Sequence, residues 1–305
     1  MRIDEDRGIS RLLAGEEERL CTGFGFTEGP VWIPDDNALL FSDIPASRIH
    51  RWRPGRDTAE TYRDPSGWSN GLTLDGSGRL IACEHGGRRV SRCDYPHPEA
   101  CETLASHWEG RALNSPNDVV VHSSGSIFFT DPSYGCDSSR SPLLGAEGQM
   151  QELSFQGVYR IDPDGVLQLA DGHRLLQPNG LTFSPDETVL YINDSKERII
   201  WRYPVNRDLS LGTRTLFVDQ RNDPRVGNPD GMKVDTEGRL WTTGAGGVSV
   251  HTAAGEYLGV FEMAEHAANI TFGGEEFSTL FLTARSSVYR LRTTVSGIGP
   301  GTRRR

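Results

Sequence analysis

Glu28, Asn70, Asn117, Asn179, Asp230 and Asn269 are the residues of this chain whose types and spacing suggest shared chemistry. Each carries a carboxylate or amide oxygen, and each stands at the head of a short apolar run. Asn and Asp favour turns and strand starts for local reasons, so one such residue says little. The same donor type at the same place in six successive patterns points to a common task. Unpaired carboxylates and amides gathered in a dry interior are costly, and a bound cation relieves that cost. Carboxylate and amide oxygens are hard donors that suit Ca²⁺, Mg²⁺ or Mn²⁺, whereas Zn²⁺ favours His and Cys. Ca²⁺ is the first choice, because it tolerates the irregular geometry of a ring collected from separate strands. Three or four protein oxygens would leave coordination positions for water and a substrate, as catalytic metals require.

The elements that must position these residues follow from a repeat. Each of the six opens a strand, which a turn joins to a second apolar strand. Examples are Asn70-Gly-Leu-Thr-Leu with Leu80-Ile-Ala-Cys-Glu84, and Asn179-Gly-Leu-Thr-Phe with Leu190-Tyr-Ile-Asn-Asp194. Openers recur at spacings of 39 to 62 residues. Blades of four strands need about 40–50. Gly157-Val-Tyr-Arg-Ile-Asp162 and Ile199-Ile-Trp-Arg-Tyr203 read as further strands, and no 3.6-residue apolar period lies between them. The expected fold is all-β, a six-bladed β-propeller with a metal site in its central channel, formed by residues 1–305 as a single domain. In a propeller the first strand of each blade lines the channel. Its opener then meets the end of the second strand at one mouth, which adds Asp43, Glu84, His85, Asp131, Asp194 and Thr243 to the candidates. Residues 1–22 read as a lead-in segment, with a helix-like stretch over Ile9–Leu20. The Ser133–Gln156 insertion accounts for the longest spacing and reads as a lid. Residues 297–305 read as a flexible tail.

Composition narrows the function classes. With 32 Lys and Arg against 42 Asp and Glu, the chain carries a formal charge of −10, which disfavours a nucleic-acid partner. No apolar run approaches the ~18 residues of a membrane span, and the N-terminus lacks a signal-peptide pattern. The five cysteines form no C-x-x-C pair, so a reduced, cytoplasmic setting with the thiols as small buried fillers is expected. Signatures of the nucleophile elbow, the H-E-x-x-H zinc helix and the phosphate loop are missing.

Seven stretches in order resemble the SMP-30/gluconolactonase (regucalcin-like) family, in its bacterial gluconolactonase branch. They are Thr27-Glu-Gly-Pro-Val-Trp32, Asn70-Gly-Leu-Thr-Leu, Cys83-Glu-His-Gly-Gly-Arg-Arg-Val90, Leu113-Asn-Ser-Pro-Asn-Asp118, Phe129-Thr-Asp-Pro-Ser-Tyr-Gly135, Pro178-Asn-Gly-Leu-Thr-Phe-Ser-Pro-Asp186 and Pro229-Asp-Gly-Met-Lys-Val234. The resemblance implies a divalent metal held by Glu28, Asn179 and Asp230. Asn117 would be a fourth ligand or a substrate contact, and Asp230 the general base. Ser115 stands where animal members carry an arginine, so their substrate contacts do not transfer. The Asp131-Pro-Ser-Tyr134 stretch follows the bacterial branch instead.

The implied activity is hydrolysis of a sugar lactone such as D-glucono-1,5-lactone. It needs a polarised carbonyl, an attacking water and a proton acceptor. Asp230 is the first candidate for the acceptor and Asp131 the second. Asn70, His85, Asn117, Asp131 and Tyr134 are candidate substrate contacts. For His85, a ring bonded to backbone at a turn is the competing reading. Ca²⁺ remains the first cation, with Mg²⁺, Mn²⁺ and Zn²⁺ as alternatives. A related metal-dependent esterase or phosphotriesterase, or a Ca²⁺-binding propeller without turnover, would use the same residues.

Overall fold

The computed structural model describes residues 1–137, 139 and 149–300. Short strands joined by turns build six blade sheets, antiparallel between neighbours, and a separate two-stranded sheet of His107–Trp108 and Arg111–Ala112. Blade 1 contains Thr27–Ile33, Ala38–Asp43, Arg48–Trp52 and Glu60–Arg63. Blade 2 contains Ser69–Leu74, Leu80–Glu84, Arg89–Cys93 and Cys101–Ala105. Blade 3 contains Val119–Val121, Ile127–Asp131, Gln156–Ile161 and Leu167–Leu175. Blade 4 contains Pro178–Phe183, Val189–Asp194, Ile199–Pro204 and Thr215–Asp219. Blade 5 contains Met232–Val234, Leu240–Gly244, Gly247–His251 and Tyr257–Glu262. Blade 6 contains Ala267–Gly273, Thr279–Ala284 and Ser287–Arg292. The first strands of successive blades contact one another in a closed ring, from blade 1 round to blade 6 and back. This is the six-bladed propeller expected from the repeat.

Residues 1–22 do more than lead in. Glu18–Thr22 pairs with Ser287–Arg292, so the N-terminal chain supplies the fourth strand of blade 6. Arg2–Asp6 adds a fifth strand to blade 5 against Tyr257–Glu262. The two ends of the chain are thus sewn together, which leaves no open gap in the ring. The helix expected over Ile9–Leu20 is replaced by one 3₁₀ turn, Ile9–Leu12, followed by the Glu18–Thr22 strand. Gly15 lies between them at φ 113°, a conformation that breaks a helix. Ile9 and Leu12 supply the apolar spacing that mimics a helix, but they bury themselves beneath blades 5 and 6.

The core lies between blades. Trp32 of blade 1 stacks on Phe281 of blade 6 at 5.0 Å, and Phe128 of blade 3 meets Phe183 of blade 4 edge-on at 5.3 Å. Such pairs contribute about 0.5–1.5 kcal/mol beyond their burial.

Two other expectations need correction. Cys93 and Cys101 form a disulfide, so the cysteines are not all free thiols. The two residues face each other on neighbouring strands of blade 2, a juxtaposition that their separation in sequence conceals. The tail expected from residue 297 is packed at its start. Gly297 donates its amide to the Phe277 carbonyl at 2.9 Å and bridges to Asp235. A Cβ there would lie 2.0 Å from the Phe272 ring, so only glycine packs this closely. Residues 301–305 of the expected tail lie outside the described residues.

Candidate functional site

Five of the six openers stand at the heads of their strands, at one mouth of the channel; Asn269 lies one residue further in, and the Ala268 carbonyl holds the opener's place by accepting from Gly231 N at 2.9 Å. All are buried except Asp230, which is half-buried. What holds their backbones is an inter-blade hydrogen-bond relay. Ser42 Oγ of blade 1 donates to the Asn70 carbonyl at 2.8 Å, and Gly71 N donates to the Asn117 carbonyl at 2.8 Å. Thr130 Oγ1 donates to the Asn179 carbonyl at 2.8 Å, and Asn193 Nδ2 to that of Asp230 at 2.5 Å. Four opener carbonyls are thereby satisfied by the adjoining blade, and their side chains are left to the channel. The glycine after the opener permits this closeness. A Cβ on Gly180 would stand 2.0 Å from the Asp230 carbonyl oxygen.

The side chains form small groups. Glu28 Oε2 accepts from Gly29 N at 2.9 Å and from Asn269 Nδ2 at 3.0 Å. Asn179 Nδ2 donates to Tyr134 Oη at 3.2 Å and to Ser195 Oγ at 3.1 Å. Asn70 Nδ2 and Asn117 Nδ2 both turn to His85 Nε2, at 3.2 and 3.5 Å. Burial holds His85 neutral by lowering its pKa to about 3. A neutral ring that accepts at Nε2 carries its proton on Nδ1. His85 therefore fixes two opener amides through its ring; its main chain serves the turn, the amide donating to the Trp68 carbonyl and the carbonyl accepting from Arg88 N.

With their nitrogens engaged, the amides of Asn117 and Asn179 have carbonyl oxygens with no hydrogen-bond donor among the described residues. Together with the Glu28 and Asp230 carboxylates, they offer hard oxygen donors only, which suits Ca²⁺ or a similar cation. Among the described residues no group of three or more His, Cys, Asp and Glu is placed to hold a metal, so the fit rests on this mixed carboxylate–amide set. Burial pushes the Glu28 carboxyl well above its usual range, and its hydrogen bonds to Gly29 and Asn269 pull the other way. A cation beside it would favour the ionised form.

The acidic second-strand ends have a different task. Asp43 accepts from Gly25 N and Phe26 N at 3.1 Å. Asp194 accepts from Leu176 N at 2.6 Å and Gln177 N at 3.2 Å. Asp131 Oδ2 accepts from Asn114 N at 2.8 Å. Each carboxylate holds the loop that leads into its own blade, one layer behind the opener. Burial raises the Asp131 carboxyl to about 7, opposed by those loop amides. Glu84 pairs with Arg63 at 2.9 Å and Arg89 at 2.6 Å, away from the openers. Thr243 Oγ1 donates to the Ala268 carbonyl at 2.8 Å and joins the relay.

Ser115, the departure from the animal pattern, is buried. Its Oγ donates to the Pro132 carbonyl at 2.6 Å and accepts from Gly135 N at 2.9 Å. That clamp fixes the turn carrying Tyr134, which is how Tyr134 reaches Asn179. The centre of the expected lid, residues 138 and 140–148, lies outside the described residues. Of its described ends, Ser133 N donates to Gln156 Oε1 at 2.7 Å, and Gln149 Nε2 to the Gly86 carbonyl, next to His85, at 3.1 Å.

Two buried or half-buried charges escape a reading based on openers. Asp118 lies directly behind Asn117, with Oδ1 accepting from Val119 N at 2.9 Å. Burial raises its pKa, and the positive charge of Lys233 opposes the rise. Lys233 also acts on Glu28. The signal for Lys233 was present in the sequence, as a lone charge inside the apolar Met232–Val234 strand.

A six-bladed propeller whose channel mouth gathers carboxylate and amide oxygens defines the class of protein. Residues 26–286 match the family described as the SMP-30/Gluconolactonase/LRE-like region, and the chain belongs to that family. A gluconolactonase from Zymomonas mobilis is 33% identical across 92% of this chain and 82% of its own length. The pentonolactonase XacC of Haloferax volcanii is 28% identical over 84% of this chain and 80% of its own. A solved gluconolactonase from Xanthomonas campestris superposes with a TM-score of 0.85 at 34% identity, covering 96% of this chain and 94% of the other.

Proposed function

We propose that this protein is a metal-dependent lactonase that opens an aldonolactone, such as D-glucono-1,5-lactone, to the aldonic acid. The observation that carries this reading is the opener ring, in which amide nitrogens are tied to His85, Tyr134 and Ser195 while oxygens are left to the channel mouth. The lactone-hydrolase relatives support the substrate class. Glu28, Asn117, Asn179 and Asp230 are the residues that would hold a divalent cation, Ca²⁺ first. Held there, it would supply Lewis-acid polarisation of the lactone carbonyl. Asp230 takes a proton from the attacking water as the new C–O bond forms, and the ring C–O bond breaks. The released alkoxide takes up a proton and becomes the hydroxyl of the open acid. Asn70, His85, Asn117 and Tyr134 orient the sugar hydroxyls at the same mouth, and Asp131 fixes the loop beside them.

The test is a panel of five- and six-membered aldonolactones, assayed on metal-stripped protein and after add-back of Ca²⁺, Mg²⁺, Mn²⁺ or Zn²⁺. Hydrolysis that disappears on stripping and returns with a hard cation is the expected result. Full turnover by verified metal-free protein refutes the metal role. Cation binding without turnover of any lactone or ester refutes the enzymatic one.

A further inference from the structure

The channel has a second end. Opposite the opener ring lies a cavity of about 280 Å³. One residue per blade lines it at an equivalent level: Val31, Thr73, Val120, Thr182, Lys233 and Thr271. The register sets that level, with Thr73 opposite Ile81, Thr182 opposite Tyr191, Lys233 opposite Trp241 and Thr271 opposite Phe281. The opener ring offers mostly oxygen acceptors. This second ring offers an ammonium, three hydroxyls and two apolar walls, and no carboxylate.

The other charged side chains along the cavity wall are already matched. Arg79 pairs with Asp75 at 2.8 Å, Arg92 with Glu102 at 2.5 Å, and His122 with Glu187 at 3.4 Å. Lys233 differs from them. Its half-buried ammonium donates to the Met232 carbonyl at 3.0 Å, and among the described residues no carboxylate lies within 4.0 Å of it. Glu28 and Asp118, deeper in the channel, feel its charge from farther away. The hydroxyls of Thr73 and Thr182 make no hydrogen bond among the described residues, whereas Thr271 Oγ1 is occupied by the Phe272 carbonyl at 3.4 Å. A half-buried ammonium held only by a main-chain carbonyl, with no carboxylate in contact and unspent hydroxyl donors beside it, suits negative charge.

We propose that this far end of the channel binds a small oxyanion, a carboxylate or phosphate. Lys233 supplies the charge, and Thr73 and Thr182 supply the neutral donors. The site is separate from the opener ring and stands whether or not that ring hydrolyses lactones. A ligand here would sit on the same channel axis as Glu28.

The experiment is isothermal titration of the full chain with inorganic phosphate and, separately, with gluconate, against chloride at matched ionic strength. Lys233→Met and Thr182→Val are titrated in parallel, each checked for folding by circular dichroism. Saturable binding of at least one oxyanion by the native chain is expected, weakened about tenfold or more in Lys233→Met and severalfold in Thr182→Val. Binding of phosphate alone identifies a compact oxyanion site, and binding of gluconate alone an organic-acid site. Gluconate held at the opposite mouth would keep its affinity in both variants, which overturns the proposal. So does the lack of saturable binding of either anion. Should Lys233→Met not fold, Thr182→Val decides: unchanged affinity refutes the site.

Discussion

Replacing Gly29 by alanine tests the idea that blade contact and site geometry share one backbone. Gly29 has φ 52°, and a Cβ there would stand 1.9 Å from the Asn70 carbonyl oxygen and 2.8 Å from its carbon. That oxygen is held in place by Ser42 Oγ at 2.8 Å, so blade 2 cannot yield locally. Left-handed backbone costs a side-chain-bearing residue about 1–2 kcal/mol. Overpacking against a fixed neighbour adds about 1–3 kcal/mol. The expected loss is therefore about 2–5 kcal/mol, a large share of a domain's typical ~5–15 kcal/mol. Gly76 is the control, because nothing lies within 4 Å of a Cβ placed there and its φ is not positive. Gly76→Ala should stay within about 0.5 kcal/mol of the native chain. Urea unfolding of both variants, with and without added Ca²⁺, measures the difference. Gly29 N also donates to Glu28 Oε2, so Gly29→Ala should weaken cation binding as well. Native-like unfolding and native-like cation affinity in Gly29→Ala would refute the reasoning.

Other outcomes follow from the same geometry. Glu28→Gln should lower cation affinity by calorimetry far more than an exposed substitution does, and equal affinity removes Glu28 from the ligand set. Asp230→Asn should lower kcat by roughly 10²–10⁴-fold even at saturating cation if the carboxylate is the base; recovery of kcat with excess cation would leave it a ligand only. Asp131 gives a pH signature. Its folded pKa of about 7 lies above the usual 3.8, so the fold favours the protonated form. That stabilisation is fully present below the unfolded pKa and is lost as pH rises through about 7. Relative to Asp131→Asn, the native chain should therefore lose of the order of 3 kcal/mol between about pH 4 and 7. Parallel stability curves for the two proteins would show that Asp131 is not held protonated.

The repeat made the propeller legible, because a strand pattern with period 2 and a polar opener is a local property of the sequence. Glu28, Asn70, Asn117, Asn179 and Asp230 could be named from it, since position within the pattern fixes position on the channel; Asn269 misled, because Ala268 holds the equivalent place in blade 6. The roles of Asp43, Asp131 and Asp194 could not. Each looks like an opener's partner in sequence, yet each carboxylate turns to the amides of its own incoming loop. Only the packed loop decides that direction. Strand Glu18–Thr22 was hidden for a related reason. It pairs with Ser287–Arg292 at the far end of the chain, and no local pattern announces so distant a partner. The Cys93–Cys101 bridge likewise depends on cross-strand register. The sequence by itself determined the six-fold repeat and the oxygen-bearing residue types at its openers, because those are set by side-chain type and period. The tertiary structure decided how the ring closes, which side chains hold the opener amides, and that Lys233 faces a cavity beside Thr73 and Thr182. Those depend on contacts between blades that adjacency along the chain does not encode.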